Sequence, residues 1–179
     1  MVKRSSKFII KCFSNEFEND MALRYIFRLF DIDIYYREML HKAQVIISNL
    51  NLNQNNELYS KSQNKLIKNK WSTRLFNKLN NEYMDLIIVK RLSGHKSIYE
   101  IRLDGANIYP RILFTIYDEQ TVMTFGVTKR PQTKGIDGIM EKINDLASES
   151  EMLIKAISDK KQNRIKYLGR GDEIVEIQF

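Results

Sequence analysis

The chain has 179 residues, 43% of them hydrophobic and 28% charged, which suits one globular unit able to bury a core. Its single cysteine, Cys12, excludes an intramolecular disulfide framework, and no apolar run approaches the roughly 18–20 residues of a membrane span. The net charge of +7 is unevenly placed: Lys61 to Lys134 holds fourteen Lys and Arg against six Asp and Glu, whereas the rest holds fifteen against sixteen. The basic excess therefore occupies one contiguous stretch, a footprint that fits nucleic acid, an acidic protein partner, or both. The opening "MVKRSSKFIIKCFSNEF" has only scattered apolar residues and lacks the core of a signal peptide, so the chain reads as soluble and cytoplasmic.

In chain order, "KFIIKCF" (7–13) predicts a short opening strand. Asn15 and Glu18 have capping-box spacing and predict a helix from about Glu16 to Phe30. "FDIDIYY" interrupts it, and Met39, Ala43, Ile46, Ile47 and Leu50 predict a second helix from about Tyr35 to Leu50. "NLNQNNEL" reads as a polar loop. Ser60 and Gln63 again have capping-box spacing, and Ile67, Trp71, Leu75 and Leu79 predict a third helix from there to about Asn80.

From Leu86 to Thr128 the apolar period becomes strand-like. "YMDLIIVKRL", "SIYEIRL", "NIYPRILFTIY" and "TVMTFGV" follow one another through short turns at Asp104-Gly105 and Asp118-Glu119, which predicts an antiparallel meander. Alternation sets Ile112, Phe114 and Ile116 on a core face, and Tyr109, Arg111, Leu113 and Thr115 on the other, expected to be open. Glu100 and Arg102 share one face of their strand. Pro110, which has no N–H, belongs at a strand start or a bulge. Beyond the basic "TKRPQTKG", Ile136, Ile139, Ile143, Leu146, Leu153 and Ile157 predict a helix from about Asp137 to Lys160, and "KYLGRGDEIVEIQF" predicts a turn and a last strand.

The segments "RLSG" (91–94), "IYEIR" (98–102), "YPRIL" (109–113) and "TKRPQTKG" (128–135), in that order, resemble the RelE/ParE superfamily of toxins, most closely its HigB-like branch. The resemblance covers about 45 residues of "RLSGHKSIYEIRLDGANIYPRILFTIYDEQTVMTFGVTKRPQTKG". It implies an α+β fold with a small antiparallel twisted sheet packed against helices. On that reading 1–179 is a single domain, with residues 1–60 as an added N-terminal helical extension and 61–179 as the toxin core. The chain departs from the family pattern in its greater length, in Pro110, and in Arg130 where lysine is usual.

The resemblance further implies a metal-independent endoribonuclease that cuts mRNA, on the ribosome, by attack of the neighbouring 2′-hydroxyl. It also implies a cognate antitoxin protein as partner. Such chemistry needs a base, an acid and cations around the phosphorus. Arg111 and Arg102 match motif positions for phosphate contact, with ion pairing to Glu100 or Asp104 as the plainer reading. Lys129 is the candidate base, His95 a candidate acid because histidine titrates near neutral pH, and Tyr109 a candidate acid or base-stacking residue. Lys90, Arg91, Lys96, Arg130 and Lys134 are candidate RNA contacts, and Tyr167 and Arg170 are weaker candidates near the C-terminus. No His, Cys and carboxylate set has zinc spacing and no glycine-rich phosphate loop occurs, so neither metal nor cofactor is expected. Two alternatives stay open: a DNA gyrase poison of the ParE kind, and a non-catalytic binding module on the same scaffold.

Overall fold

Two amphipathic helices and a long strand meander supply most of the core. The computed structural model describes residues 10–14, 21–55, 57–61, 63–67, 70–117, 120–129, 136–161 and 173–177. Strand β1 (Ile10–Ser14) leads to α1 (Ala22–Ile32), whose Ala22, Tyr25, Ile26 and Leu29 are buried at helical spacing. Asp33 alone breaks the chain into extended geometry (φ −160°), and its carboxylate accepts from the Tyr35 backbone N–H at 3.0 Å. That cap opens α2 (Ile34–Ile47), which buries Tyr35, Tyr36, Met39, Leu40, Ala43 and Ile47. Lys78 also bonds Asp33, and this contact with the Tyr35 N–H holds the carboxyl below its usual range. Asn15 and Glu18 lie outside the described residues.

The asparagine-rich stretch is a hairpin and not a loop. Strand β2 (Leu50–Leu52) pairs with β3 (Leu58–Ser60), and β4 (Lys65–Leu66) adds to β3 in a three-stranded sheet. The Asn53 side-chain oxygen accepts from the N–H of Asn55 and of Glu57, both at 2.9 Å, which closes the turn.

The predicted helix from Ser60 to Asn80 is replaced by strands. Strand β5 (Lys70–Asn77) pairs antiparallel with β6 (Glu82–Arg91). Trp71 and Leu75 are four residues apart, a spacing that serves a helix face and also one face of a strand. The strand wins because Trp71, Thr73, Leu75 and Asn77 turn inward along β5 while Lys70, Ser72 and Arg74 stay exposed. The cap-like contact does form, with Gln63 N–H donating to Ser60 Oγ at 3.3 Å, but it closes a turn.

The meander continues as predicted through β7 (Tyr99–Arg102), β8 (Tyr109–Tyr117) and β9 (Gln120–Lys129). After it come α3 (Ile136–Lys161) and β10 (Glu173–Ile177). The main sheet has the order β10-β1-β9-β8-β7-β6-β5, antiparallel except for β1 beside β9. Strand β1 therefore belongs to the main sheet, and α1 and α2 belong to its core. Pro110 is the second residue of β8, and its carbonyl accepts from the Leu103 N–H at 3.2 Å.

One core cluster joins α1 and α2 to Ile101, Ile112, Phe114 and Met123. The opposite face is not open: Leu113, Val122 and Val127 pack against Ile143, Leu146 and Ala147 of α3. Strand parity placed Arg111 and Glu100 on that second face correctly, but it does not reveal what covers a face. A register irregularity between Ile112 and Phe114 lets Thr124 and Phe125 both serve the α3 side, where the Thr124 and Ser150 hydroxyls meet at 2.6 Å.

Helix α1 seats on β9 through Tyr25, whose ring crosses Gly126 and whose hydroxyl meets Thr128 Oγ1 at 2.7 Å. A methyl at Gly126 would come 2.0 Å from the Tyr25 ring, so Gly126→Ala should cost about 2–3 kcal/mol, read as a lower urea midpoint. Burial pushes Tyr25 and Tyr35 up to about 12. Their unfolded phenols ionise first, so the stability these two tyrosines contribute should hold below about pH 10 and fall as pH rises toward 12. The double variant Tyr25→Phe/Tyr35→Phe should flatten that fall in urea titrations run across the same range.

Candidate nucleic-acid interface

Strands β7, β8 and β9 bring four of the expected residues to one face at one end of the sheet. Register pairs Arg102 with Arg111, Arg111 with Val127, and Tyr109 with Lys129. Residues directly opposite share a face, as do residues two apart on one strand. Arg102, Arg111, Tyr109 and Lys129 are therefore neighbours on the face that α3 covers further along.

Two guanidiniums side by side would repel, and carboxylates separate them. Arg111 donates to Asp104 through Nη1 at 2.5 Å and Nη2 at 3.4 Å, and its Nε lies 3.9 Å from Glu100. Arg102 donates to Asp104 at 3.2 Å, with a second nitrogen 3.9 Å from Glu100. Arg111 and Glu100 are only 4% and 5% exposed, so each neutralises a charge that the interior would not otherwise hold. The Arg102 side chain keeps 22% of its surface, and its Nε has no hydrogen-bond partner among the described residues. Arg111 is thus occupied as an ion-pair partner, and Arg102 is the guanidinium nearer solvent.

The loop carrying Asp104 is held from below by α2. The Tyr35 hydroxyl donates to the carbonyls of Phe76 and Asp104, at 2.9 and 3.1 Å. The Tyr36 hydroxyl donates to the Ile108 carbonyl at 3.2 Å and lies 3.3 Å from the Ile108 nitrogen. Gly105, at φ +109°, passes so close that an added Cβ would sit 2.4 Å from the Tyr35 hydroxyl oxygen. Its carbonyl accepts from Lys78 and Leu79, tying the loop to the end of β5. Nothing in the residue pattern around Tyr35 announced this role, because its partners are backbone carbonyls distant in sequence.

A second cation cluster surrounds the β6–β7 turn, at the far end of β7 from Arg102. Gly94 turns the chain at φ +83°, and Leu92 N–H bonds the Ile98 carbonyl at 3.1 Å. Lys90, Arg91, His95 and Lys96 line a cavity of about 520 Å³ here. His95 Nδ1 lies 3.3 Å from Glu151 on α3, without the alignment of a hydrogen bond. The structure therefore separates His95 from Tyr109 and Lys129. Arg130, Lys134, Tyr167 and Arg170 lie outside the described residues.

A third basic surface lies where the sequence predicted a helix, on strands β4 and β5. Lys65 and Lys70 flank Trp71 around a cavity of about 710 Å³. Among the described residues no group of three or more His, Cys, Asp and Glu side chains is placed to hold a metal ion, and no helix is long and apolar enough to cross a membrane. No family model, curated protein or solved structure matches the chain.

The ion-pair geometry changes what an arginine substitution should do. Arg111→Ala strands Glu100 in the interior and should destabilise the fold by about 3–5 kcal/mol. Arg102→Ala, nearer solvent, should cost about 1 kcal/mol. Equilibrium urea unfolding separates the two, and equal costs would mean that Arg111 is not the buried partner.

Proposed function

We propose that the chain is a metal-independent endoribonuclease toxin that cuts mRNA in the cytoplasm and is neutralised by an antitoxin protein. The observation that carries the reading is the Tyr109–Lys129 cross-strand pair, set on the same face as Arg102 and Arg111. That arrangement supplies a proton acceptor, a proton donor and a guanidinium at one end of one sheet. The resemblance of residues 91–135 to HigB-like toxins supports it.

In this reading Lys129 takes the proton of a ribose 2′-hydroxyl. The 2′-oxygen bonds to phosphorus as the bond to the 5′-oxygen breaks, and the Tyr109 phenol protonates that leaving oxygen. The products are a 2′,3′-cyclic phosphate and a free 5′-hydroxyl. Arg102 stabilises the charge on the phosphoryl oxygens through the part of its guanidinium that keeps access to solvent. Arg111 is a positioning residue, fixing Asp104 and through it the direction of Arg102.

The test is incubation of the purified chain with single-stranded RNA and with translating ribosomes, with cleavage ends mapped chemically. Cyclic-phosphate ends should form in excess EDTA. Lys129→Ala and Tyr109→Phe should each slow cleavage by about 100-fold or more without loss of stability, whereas His95→Ala should leave the rate within a few-fold. Full activity in Lys129→Ala would remove the site. Growth arrest on expression with gyrase-linked DNA breaks would assign the ParE-like activity, and arrest with neither lesion would leave a binding module.

A further inference from the structure

Two cavities open at the β5–β6 end of the sheet, and the edge strand β5 lines the first from both of its faces, with Lys70 on one and Trp71 on the other. The first is bounded by Lys65, Lys70, Trp71 and Gln63, and the second by Lys90, Arg91, His95 and Lys96. The link between them is a register pair, since Lys70 stands directly opposite Lys90 on the neighbouring strand. Both lysines are exposed. Like charges in that position repel across about 5 Å and destabilise the sheet unless something anionic lies over them.

The nearby carboxylates do not relieve the repulsion. Glu100, which stands opposite Lys90 on its other side, has its oxygens 3.9 Å from Arg102 and Arg111. Glu151 sits beside His95. Among the described residues neither cavity is lined by an Asp or Glu. Lys65, Lys70, Lys90, Arg91 and Lys96 thus line the cavities with no carboxylate among the described residues of their walls.

Trp71 identifies the class of anion. It is half-buried, packs against the main core, and is among the residues that line the cavity. A rigid indole among lysines offers a stacking surface to an unpaired base while the cations take the phosphates. A duplex, whose bases are already stacked on one another, does not use such a surface.

We infer that this surface is a track for single-stranded RNA, with Trp71 stacking on a base and the five cations following the backbone. The inference deepens the ribonuclease reading and rests on its choice of RNA as substrate. Strand register places the track beside the cleavage residues on the same sheet, since Lys90 stands opposite Glu100 and Arg102 lies two residues further along β7. It therefore holds a flanking part of the strand and not the bond that is cut.

Trp71 is the only tryptophan, so its fluorescence reports the track alone. The full-length chain is titrated with a 2′-O-methylated oligouridine of about sixteen nucleotides, which 2′-hydroxyl attack cannot cleave. Saturable quenching is expected, much weaker with a duplex of the same length. The log–log slope of affinity against salt should be about −3.5, its magnitude falling by about 1.4 in Lys70→Gln/Lys90→Gln, with affinity reduced at least tenfold. Trp71→Phe should keep the affinity of labelled RNA measured by anisotropy, and Trp71→Ala should lower it about tenfold.

Unchanged fluorescence, equal quenching by duplex, or an unaltered salt slope in the double variant would overturn the track. So would equal quenching by polyglutamate, which would assign the surface to an acidic protein. Cleavage of unmodified RNA without quenching would remove the track and leave the ribonuclease reading. Quenching with no cleavage under any condition would do the reverse.

Discussion

A positive charge buried in the interior has to be neutralised where it stands, and Arg111 sets that condition for this protein. Its side chain can be buried on its face of the sheet only because Glu100 and Asp104 reach it, one from the neighbouring strand and one from the loop that follows. Asp104 in turn has a fixed position because Tyr35 grips its carbonyl and Gly105 leaves room for the phenol. The loop from 103 to 108 is thus positioned by α2, on the side of the sheet away from α3. Helices from the first part of the chain and strands from its middle meet at this one loop.

That dependence explains the different characters of the two cationic regions. At the β7–β8 end the arginines are matched almost one for one by carboxylates, so the field there is local and directional. At the β5–β6 end, five lysines and arginines line cavities with no Asp or Glu among their described lining residues, so the field extends into solvent and is screened by salt. The first arrangement suits holding a reacting group in place, and the second suits drawing in and retaining a long polyanion.

Local periodicity carried much of the architecture. Alternation along "IYEIRL" and "YPRILFTIY" assigned the strand faces correctly, and the stripe of Ala22, Tyr25, Ile26 and Leu29 lies where helical spacing requires. The failure at residues 60–80 has a clear cause: Trp71 and Leu75 satisfy both periods, and Ser60 with Gln63 makes the same contact in a turn as at a helix start. What covers a strand face was not legible, because α3 reaches Leu113 from far along the chain. Register was not legible either, so Tyr109 could not be matched with Lys129, nor Lys70 with Lys90, before the strands were paired.

Strand β5 ends the main sheet, and its outer backbone groups have no neighbouring strand in that sheet. An unguarded border of this kind invites a second chain to pair with it and is the usual starting point of aggregation. Lys70 and Arg74 project from that border, and the pairing with β6 is irregular between Trp71 and Ser72. Repulsion between like charges and a distorted strand both discourage copies of the chain from stacking. The residues best placed to attract a polyanion therefore also keep the protein dispersed, and exchanging them for apolar ones would remove both properties together.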